Sequence, residues 1–461
     1  MVNEVPFSTA SDGMCVADFY KAKSVLVTGG TGYLGKRLIE KLLYSCVGIE
    51  NIYVLIREKA EESADQRLKK IIDSSAFDRV KKQDINVLNK IVTVPGNISE
   101  KNLGLTTKHL KMIEEKVSVV FHVAATVKFN EELSKAMAVN VNGTLEIISL
   151  CRRINKLEAL IQVSTAFSNS DRKHIEEIVY CNNVDFEGLK SLTDFWSGDE
   201  DDVKRLLGKK PNTYTYTKAL AEEYVMKYGK DLPIAIIRPS IIISAIKEPS
   251  QGWIDSWNGS TGTFGGMSSG VMKVMFGSGS NVADLVPLDI VVNLIIVAAT
   301  KCKRSSLKVY NCCTGTSNPI TYSRAEVIIR RATYKYSLNQ LPFPFMVFTN
   351  SRLVYTLLRF ILQIVPAFLI DLWSLFNGKK AIQMKIQHRI TRTLDLMKFF
   401  MINEWHFEDS NTRELFENMS EEDKNVFNFD LKSIDWNSCI ENYVVGIHKY
   451  LLKKSNISIK I

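Results

Sequence analysis

Val25-Leu-Val-Thr-Gly-Gly-Thr-Gly-Tyr-Leu-Gly35 decides the fold. It begins in an apolar run, residues 24–27, of the kind a buried parallel strand shows. Gly29, Gly32 and Gly35 follow at a spacing of three, and Lys36-Arg-Leu-Ile-Glu-Lys-Leu-Leu43 then carries apolar residues at helical spacing. Strand, glycine turn and helix form a dinucleotide-binding fingerprint. Gly29 permits the tight turn, Gly32 lets a pyrophosphate approach the backbone, and Gly35 lets the helix pack close to the strand. The helix N-terminus offers free N–H groups and a positive dipole end. The expected cofactor contacts here are Gly29, Gly32, Tyr33, Leu34 and Gly35. A glycine turn used only for packing is the competing reading.

Working outward, the apolar runs 24–27, 52–56, 90–94, 117–123, 159–163 and 234–237 alternate with helical patterns. Such alternation predicts an α/β fold with a Rossmann-type, doubly wound parallel sheet. The full 461 residues exceed one simple core. We expect an NADP-binding domain over 1–240, a substrate-binding portion with a lid loop over 241–345 and a helical domain over 346–461. The composition is globular, with 46% hydrophobic and 24% charged residues. The net charge of +9 favours anionic partners such as phosphates or an acidic membrane face, and is too diffuse to argue for nucleic acid. Eight cysteines and six histidines show no metal-ligand spacing, which predicts idle thiols in a reducing compartment and no metal site. Met1 to Tyr20 lacks the basic and apolar regions of a secretory signal, so the catalytic portion is expected to face the cytosol.

Ligands of such sheets sit beyond the C-terminal ends of the strands. After the second run stands Arg57, where a preference for NAD would place an acid to hold the ribose 2′-OH. A guanidinium suits a 2′-phosphate, and Lys36 is placed to reach the same group, so NADPH is the expected cofactor. After the third run Asn97 can bond an adenine. After the fourth, the small residues around Ala124 let a ribose lie against the backbone. His122 reads either as a catalytic base or, more commonly for such a residue, as a packed and satisfied side chain. Asn140 reads as a buried amide stiffening the site. Ser164 and Thr165 place hydroxyls at the end of the fifth strand.

Tyr214 and Lys218 are four apart and share one face of a helix that follows Pro211-Asn-Thr. An ammonium beside a phenol favours the phenolate, so Lys218 is expected to lower the tyrosine pKa and make Tyr214 a proton donor and acceptor. A surface tyrosine on a helix is the competing reading.

These motifs resemble those of the extended short-chain dehydrogenase/reductases, and more narrowly the alcohol-forming fatty acyl-CoA reductases of the animal, especially insect, type. The resemblance runs almost end to end. It includes Asn51-Ile-Tyr-Val-Leu-Ile-Arg57, Val163-Ser-Thr-Ala-Phe167, Ile237-Arg-Pro-Ser240, Gly252-Trp-Ile-Asp255 and Val365-Pro-Ala-Phe-Leu-Ile-Asp371. It implies that a long-chain acyl-CoA is reduced by NADPH to an aldehyde with release of CoA, and then to a primary alcohol. It implies Tyr214 as the proton donor, Lys218 as its partner and a ribose ligand, and Thr165 or Ser164 as the hydrogen-bond donor to the carbonyl. Asn97, Lys128, Asn130, Gln251, Ser256 and Gln363 depart from the family pattern. A sterol-type reductase and a non-enzymatic lipid-binding paralogue are the alternatives.

In the substrate portion, Trp253 and Trp257 read equally as lining an acyl channel or as anchors of the Gly- and Ser-rich loop around them. The acidic run Asp199-Glu-Asp-Asp202 reads as a solvated loop. Residues 353–376 are the most hydrophobic, but their longest charge-free piece has 11 residues. A span needs about 20. An interfacial anchor is expected, with Lys379, Lys380, Lys385, Arg389 and Arg392 meeting anionic headgroups. Packing as soluble core is the alternative. The expected location is a membrane surface of the endoplasmic reticulum, peroxisome or lipid droplet. A second anchor near the C-terminus is not seen, and oligomeric state is not readable.

Overall fold

A computed structural model of the chain describes residues 15–181, 200–338, 341 and 344–454. Most of Met1 to Tyr20, Asp199 of the acidic run and the tail beyond Lys454 lie outside the described residues.

The strands β1 (Ser24–Thr28), β2 (Ile52–Ile56), β3 (Ile91–Pro95), β4 (Val117–His122), β5 (Ala159–Val163), β6 (Ile234–Pro239) and β7 (Lys308–Cys312) form one parallel sheet. Their order is β7-β6-β5-β4-β1-β2-β3. The first six are the apolar runs read from the sequence. Every residue of β1, β2, β4, β5 and β6 is buried, as strands covered on both faces must be. Alternate side chains serve different cores. Val25, Val27 and Val54 join one cluster, while Leu26, Tyr53 and Leu55 join the other.

Helix α1 (Tyr33–Ser45) packs with α3 (Leu288–Thr300), and the helix α2 (Thr213–Tyr228) packs with Gly143–Arg153. The doubly wound α/β fold expected from the sequence is therefore the fold observed. Strand order reverses between β1 and β4, which opens the ligand crevice at their C-terminal ends.

The seventh strand comes from 308–312, inside the stretch read as substrate-binding portion. Its run is broken by Asn311, whose buried amide donates to the carbonyls of Ile175 and Glu408. A polar residue in a short edge strand hides the apolar signal. The C-terminal helices are α4 (Arg352–Arg359), α5 (Val365–Phe376), α6 (Gln383–Ile402), α7 (Ser410–Glu417) and α8 (Trp436–Gly446), of which α6, α7 and α8 contribute to the larger core. Leu394, Met401, Phe427 and Tyr443 belong to the same cluster as Val25 and Val27.

Arg352 to Phe376 runs as one 25-residue helical rod through a wider turn at Phe360–Ile364, and only 11% of its most apolar stretch is buried. Its length and composition are those of a helix able to cross a membrane.

Candidate active site

A cavity of about 1040 Å³ opens where β1, β4 and β5 end. All thirteen residues proposed from sequence for cofactor and chemistry line it: Gly29, Gly32, Tyr33, Leu34, Gly35, Lys36, Arg57, Asn97, Ala124, Ser164, Thr165, Tyr214 and Lys218. The glycine turn is tight. Gly29 has φ +74°, and a Cβ there would sit 2.7 Å from the Ala124 nitrogen. A Cβ on Gly32 meets only the Gly29 carbonyl oxygen, at 3.2 Å, so the turn leaves an open cradle beside the N-terminus of α1. That cradle fits the pyrophosphate of a dinucleotide.

At the adenosine end Arg57 is joined by Arg67, whose guanidinium donates to the Arg57 carbonyl. Arg67 was invisible in the sequence because a loop and a helical turn separate it from the strand end. Lys36 pairs with Asp255 of the loop that follows β6. Asn97 donates to Glu100 at 2.8 Å and accepts from the Ser99 hydroxyl at 2.9 Å, so its amide is held by its own turn.

Asn212 caps α2 by accepting from the Thr215 amide at 2.9 Å, which fixes Tyr214 and Lys218 in the first turns. The Lys218 ammonium donates to the Val163 carbonyl at 2.7 Å. Burial lowers its pKa to about 8, opposed by Glu222 one turn on. The expectation that Lys218 depresses Tyr214 is corrected. Burial pushes the phenol up to about 12, against the pull of its hydrogen bond with the Thr165 hydroxyl. Here desolvation outweighs that hydrogen bond, and Tyr214 carries its proton at neutral pH.

The two hydroxyls of β5 are separated by what they touch. Ser164 donates to Glu222, which also accepts from Ser168 at 3.0 Å and forms a buried ion pair with Arg238 at 2.5 Å. Thr165 meets Tyr214 instead. Asn140 accepts from the Thr126 amide and donates to Thr217, bracing α2 from below.

His122 is the packed residue, and its tautomer follows from its neighbours. Ala124 N–H donates to the Thr28 hydroxyl, whose own proton stays available to His122 Nδ1 at 2.8 Å. On the other side Thr144 donates to the Asn140 carbonyl at 2.7 Å, so it accepts from His122 Nε2 at 3.3 Å. A neutral Nε2–H ring satisfies every partner, and burial lowers its pKa to about 3. The unfolded chain binds this proton below about pH 6.5 and the folded chain does not, so stability falls as pH drops through that window. Between pH 7.5 and 5.5 His122 is expected to withdraw about 1.4 kcal/mol. Urea unfolding of wild type and His122→Gln at both pH values measures it as the difference between the two pH slopes.

Trp253 does not line the cavity. Its indole is buried, stacks on Tyr33 at 5.5 Å and donates to Ser75 at 3.1 Å, so it anchors the loop. Trp257 also lies off the cavity wall, about half exposed over Gly265. Neither position supports the acyl-channel reading. Long-range packing supplies the apolar wall instead: Met397 and Phe400 of α6 line the cavity. Phe400 packs on Phe129 and Phe167, and Phe129 stacks on Tyr214 at 5.9 Å. No local pattern marks these contacts.

The fold is shared with solved reductases. The reductase domain of a nonribosomal peptide synthetase from Mycobacterium tuberculosis superposes with a TM-score of 0.62 at 19% identity, covering 93% of this chain and 92% of that one. The terminal R domain of the myxalamid pathway gives 0.59 at 18%, covering 93% and 91%. Fold and site together define a nicotinamide-cofactor-binding oxidoreductase of the extended short-chain dehydrogenase/reductase type.

The NAD-binding family model described as male sterility protein matches residues 27–295, and a second model of that description matches 362–454. Fatty acyl-CoA reductase 1 of Xenopus laevis is 37% identical over 96% of this chain and 87% of its own length. The human protein of that name is 36% identical over 95% and 86%, and fatty acyl-CoA reductase 2 of Bos taurus is 35% identical over the same shares. The chain belongs to the fatty acyl-CoA reductase family.

Proposed function

We propose that this chain reduces long-chain fatty acyl-CoA to a primary alcohol with NADPH, through an aldehyde and with release of CoA. One observation carries the chemistry: the glycine turn, Thr165, Tyr214 and Lys218 line a single cavity whose far wall is the aromatic face of α6. The names of the relatives supply the substrate class.

Bound along the glycine turn, NADPH would supply one hydride per molecule, so a second NADPH would replace the spent NADP+ before the second reduction. The protein's own groups do the rest. Thr165 and Tyr214 hold the thioester carbonyl oxygen, and Tyr214 gives it a proton as the hydride arrives at carbon. The resulting hemithioacetal loses its hydroxyl proton to the Tyr214 phenolate and expels the CoA thiolate, leaving the aldehyde. A second hydride and a second proton from Tyr214 give the alcohol, and solvent returns a proton to the Tyr214 phenolate and to the departed CoA thiolate. Lys218, fixed by the Val163 carbonyl, positions the nicotinamide ribose and stabilises the phenolate between steps. Glu222 and Arg238 hold Ser164, and with it the strand end that carries Thr165. Met397, Phe400, Phe129 and Phe167 receive the first carbons of the chain and exclude water.

The preference for NADPH rests on Arg57 and Arg67, with Arg57 directly after β2 where an NAD site would place an acid; Lys36 is already paired with Asp255. The exposed apolar helix supports a membrane-surface location. The purified chain should oxidise two NADPH and release one CoA thiol for each alcohol formed, with NADH a poor substitute. No NADPH consumption with any long-chain acyl-CoA overturns the proposal.

A further inference from the structure

We infer that the helical rod Arg352 to Phe376 lies in the plane of an anionic bilayer surface, not across it. The inference rests on the membrane-surface reading above and adds its geometry. One side of the rod is keyed into the protein by polar groups. Gln363 is 2% exposed; its carbonyl oxygen accepts from the Lys273 and Val274 amides at 3.0 and 2.9 Å, and its amide donates to Gln387 at 3.0 Å. Two turns on, Asp371 accepts from the amides of Ile382, Gln383 and Met384, closing the hairpin between α5 and α6.

The rest of the rod is largely bare. Leu353 is 81% exposed and Phe376 83%, with Leu357, Phe360, Phe368 and Trp373 exposed between them. A rod driven through hydrocarbon would take its packed neighbour α6 with it. That helix carries exposed Lys385, Arg389 and Arg392, and buried Gln387 is spent on holding Gln363 and Val271. Several charges placed at that depth oppose spanning. Lying flat costs nothing of this kind: the apolar side enters the interface, and the basic groups beside it stay at headgroup level. The charge is one-sided. Residues 352–402 hold eight Lys and Arg and two acids, and one of those acids, Asp371, is already used as the hairpin cap.

Spin labels test this. Cys15, Cys181 and Cys302, the thiols not buried, are replaced by Ser, and single labels are placed by Leu353→Cys, Phe368→Cys and Phe376→Cys in the full chain. Each protein is reconstituted with phosphatidylcholine–phosphatidylserine vesicles, and label depth is read by power saturation. The expected result is one shallow depth for all three. A deep central label between two water-exposed ends overturns the in-plane geometry but keeps the membrane reading. Labels as water-accessible with vesicles as without overturn both. In a second arm, Lys379→Gln/Lys380→Gln/Lys385→Gln should weaken vesicle binding at least about tenfold, with smaller loss on pure phosphatidylcholine. An equal loss on both vesicles overturns the headgroup assignment.

Discussion

Tyr214→Phe is expected to lower turnover by about 10²- to 10⁴-fold, the range a positioned proton donor contributes. The loss should fall on kcat, with NADPH affinity close to wild type, because Lys218 is held by the Val163 carbonyl and not by the phenol. Stability should change little. The phenylalanine ring keeps the stack on Phe129, and Thr165, the partner of the lost hydroxyl, still accepts from the Phe167 amide at 3.3 Å and can aim its proton into the cavity. Stopped-flow hydride transfer and a thermal melt on the same preparation separate the two effects. Activity retained within tenfold would remove Tyr214 from the chemistry. A parallel Ser164→Ala gives contrast. Its hydroxyl serves Glu222, so it should cost far less turnover than Thr165→Ala.

The reach of the sequence is uneven for physical reasons. Strands buried on both faces write themselves as continuous apolar runs, so six of the seven strands of the main sheet and the glycine turn were legible. Contacts between distant segments leave no local trace. Arg67, Met397 and Phe400 reach the cavity only through folding, and Trp253, which reads equally as channel lining or loop anchor, is fixed as an anchor by Tyr33 and Ser75 from other segments. The sign of the Tyr214 shift shows the same limit at the level of charge. Spacing told which cation stands one helical turn from the tyrosine, but desolvation, which decides the direction here, is a property of the whole packed site. His122 was readable as packed, yet its tautomer needed the Thr28 and Thr144 hydroxyls, which come from other elements.

The three glycines should fail in different ways when given a methyl group, and Gly35→Ala should fail most. A Cβ at Gly35 would lie 2.2 Å from the Gly29 carbonyl oxygen and 2.9 Å from the Gly30 Cα. Both are backbone atoms of the turn itself, so no side chain can swing away. Either α1 retreats from β1 or the turn opens, and each moves the N–H groups that face the phosphates. NADPH affinity is expected to fall by two orders of magnitude or more, about 2.7 kcal/mol, together with a lower melting temperature. Gly32→Ala isolates the ligand's share. Gly32 has φ −82°, which alanine tolerates, and its Cβ meets protein only at 3.2 Å, a gap a small relaxation restores. The methyl would instead occupy the open cradle. The melting temperature should stay within a few degrees of wild type, while NADPH affinity drops about tenfold or more. Fluorescence titration with NADPH and a melt of each variant read both quantities. A Gly32→Ala protein that binds NADPH normally would show that the pyrophosphate does not pass over this turn.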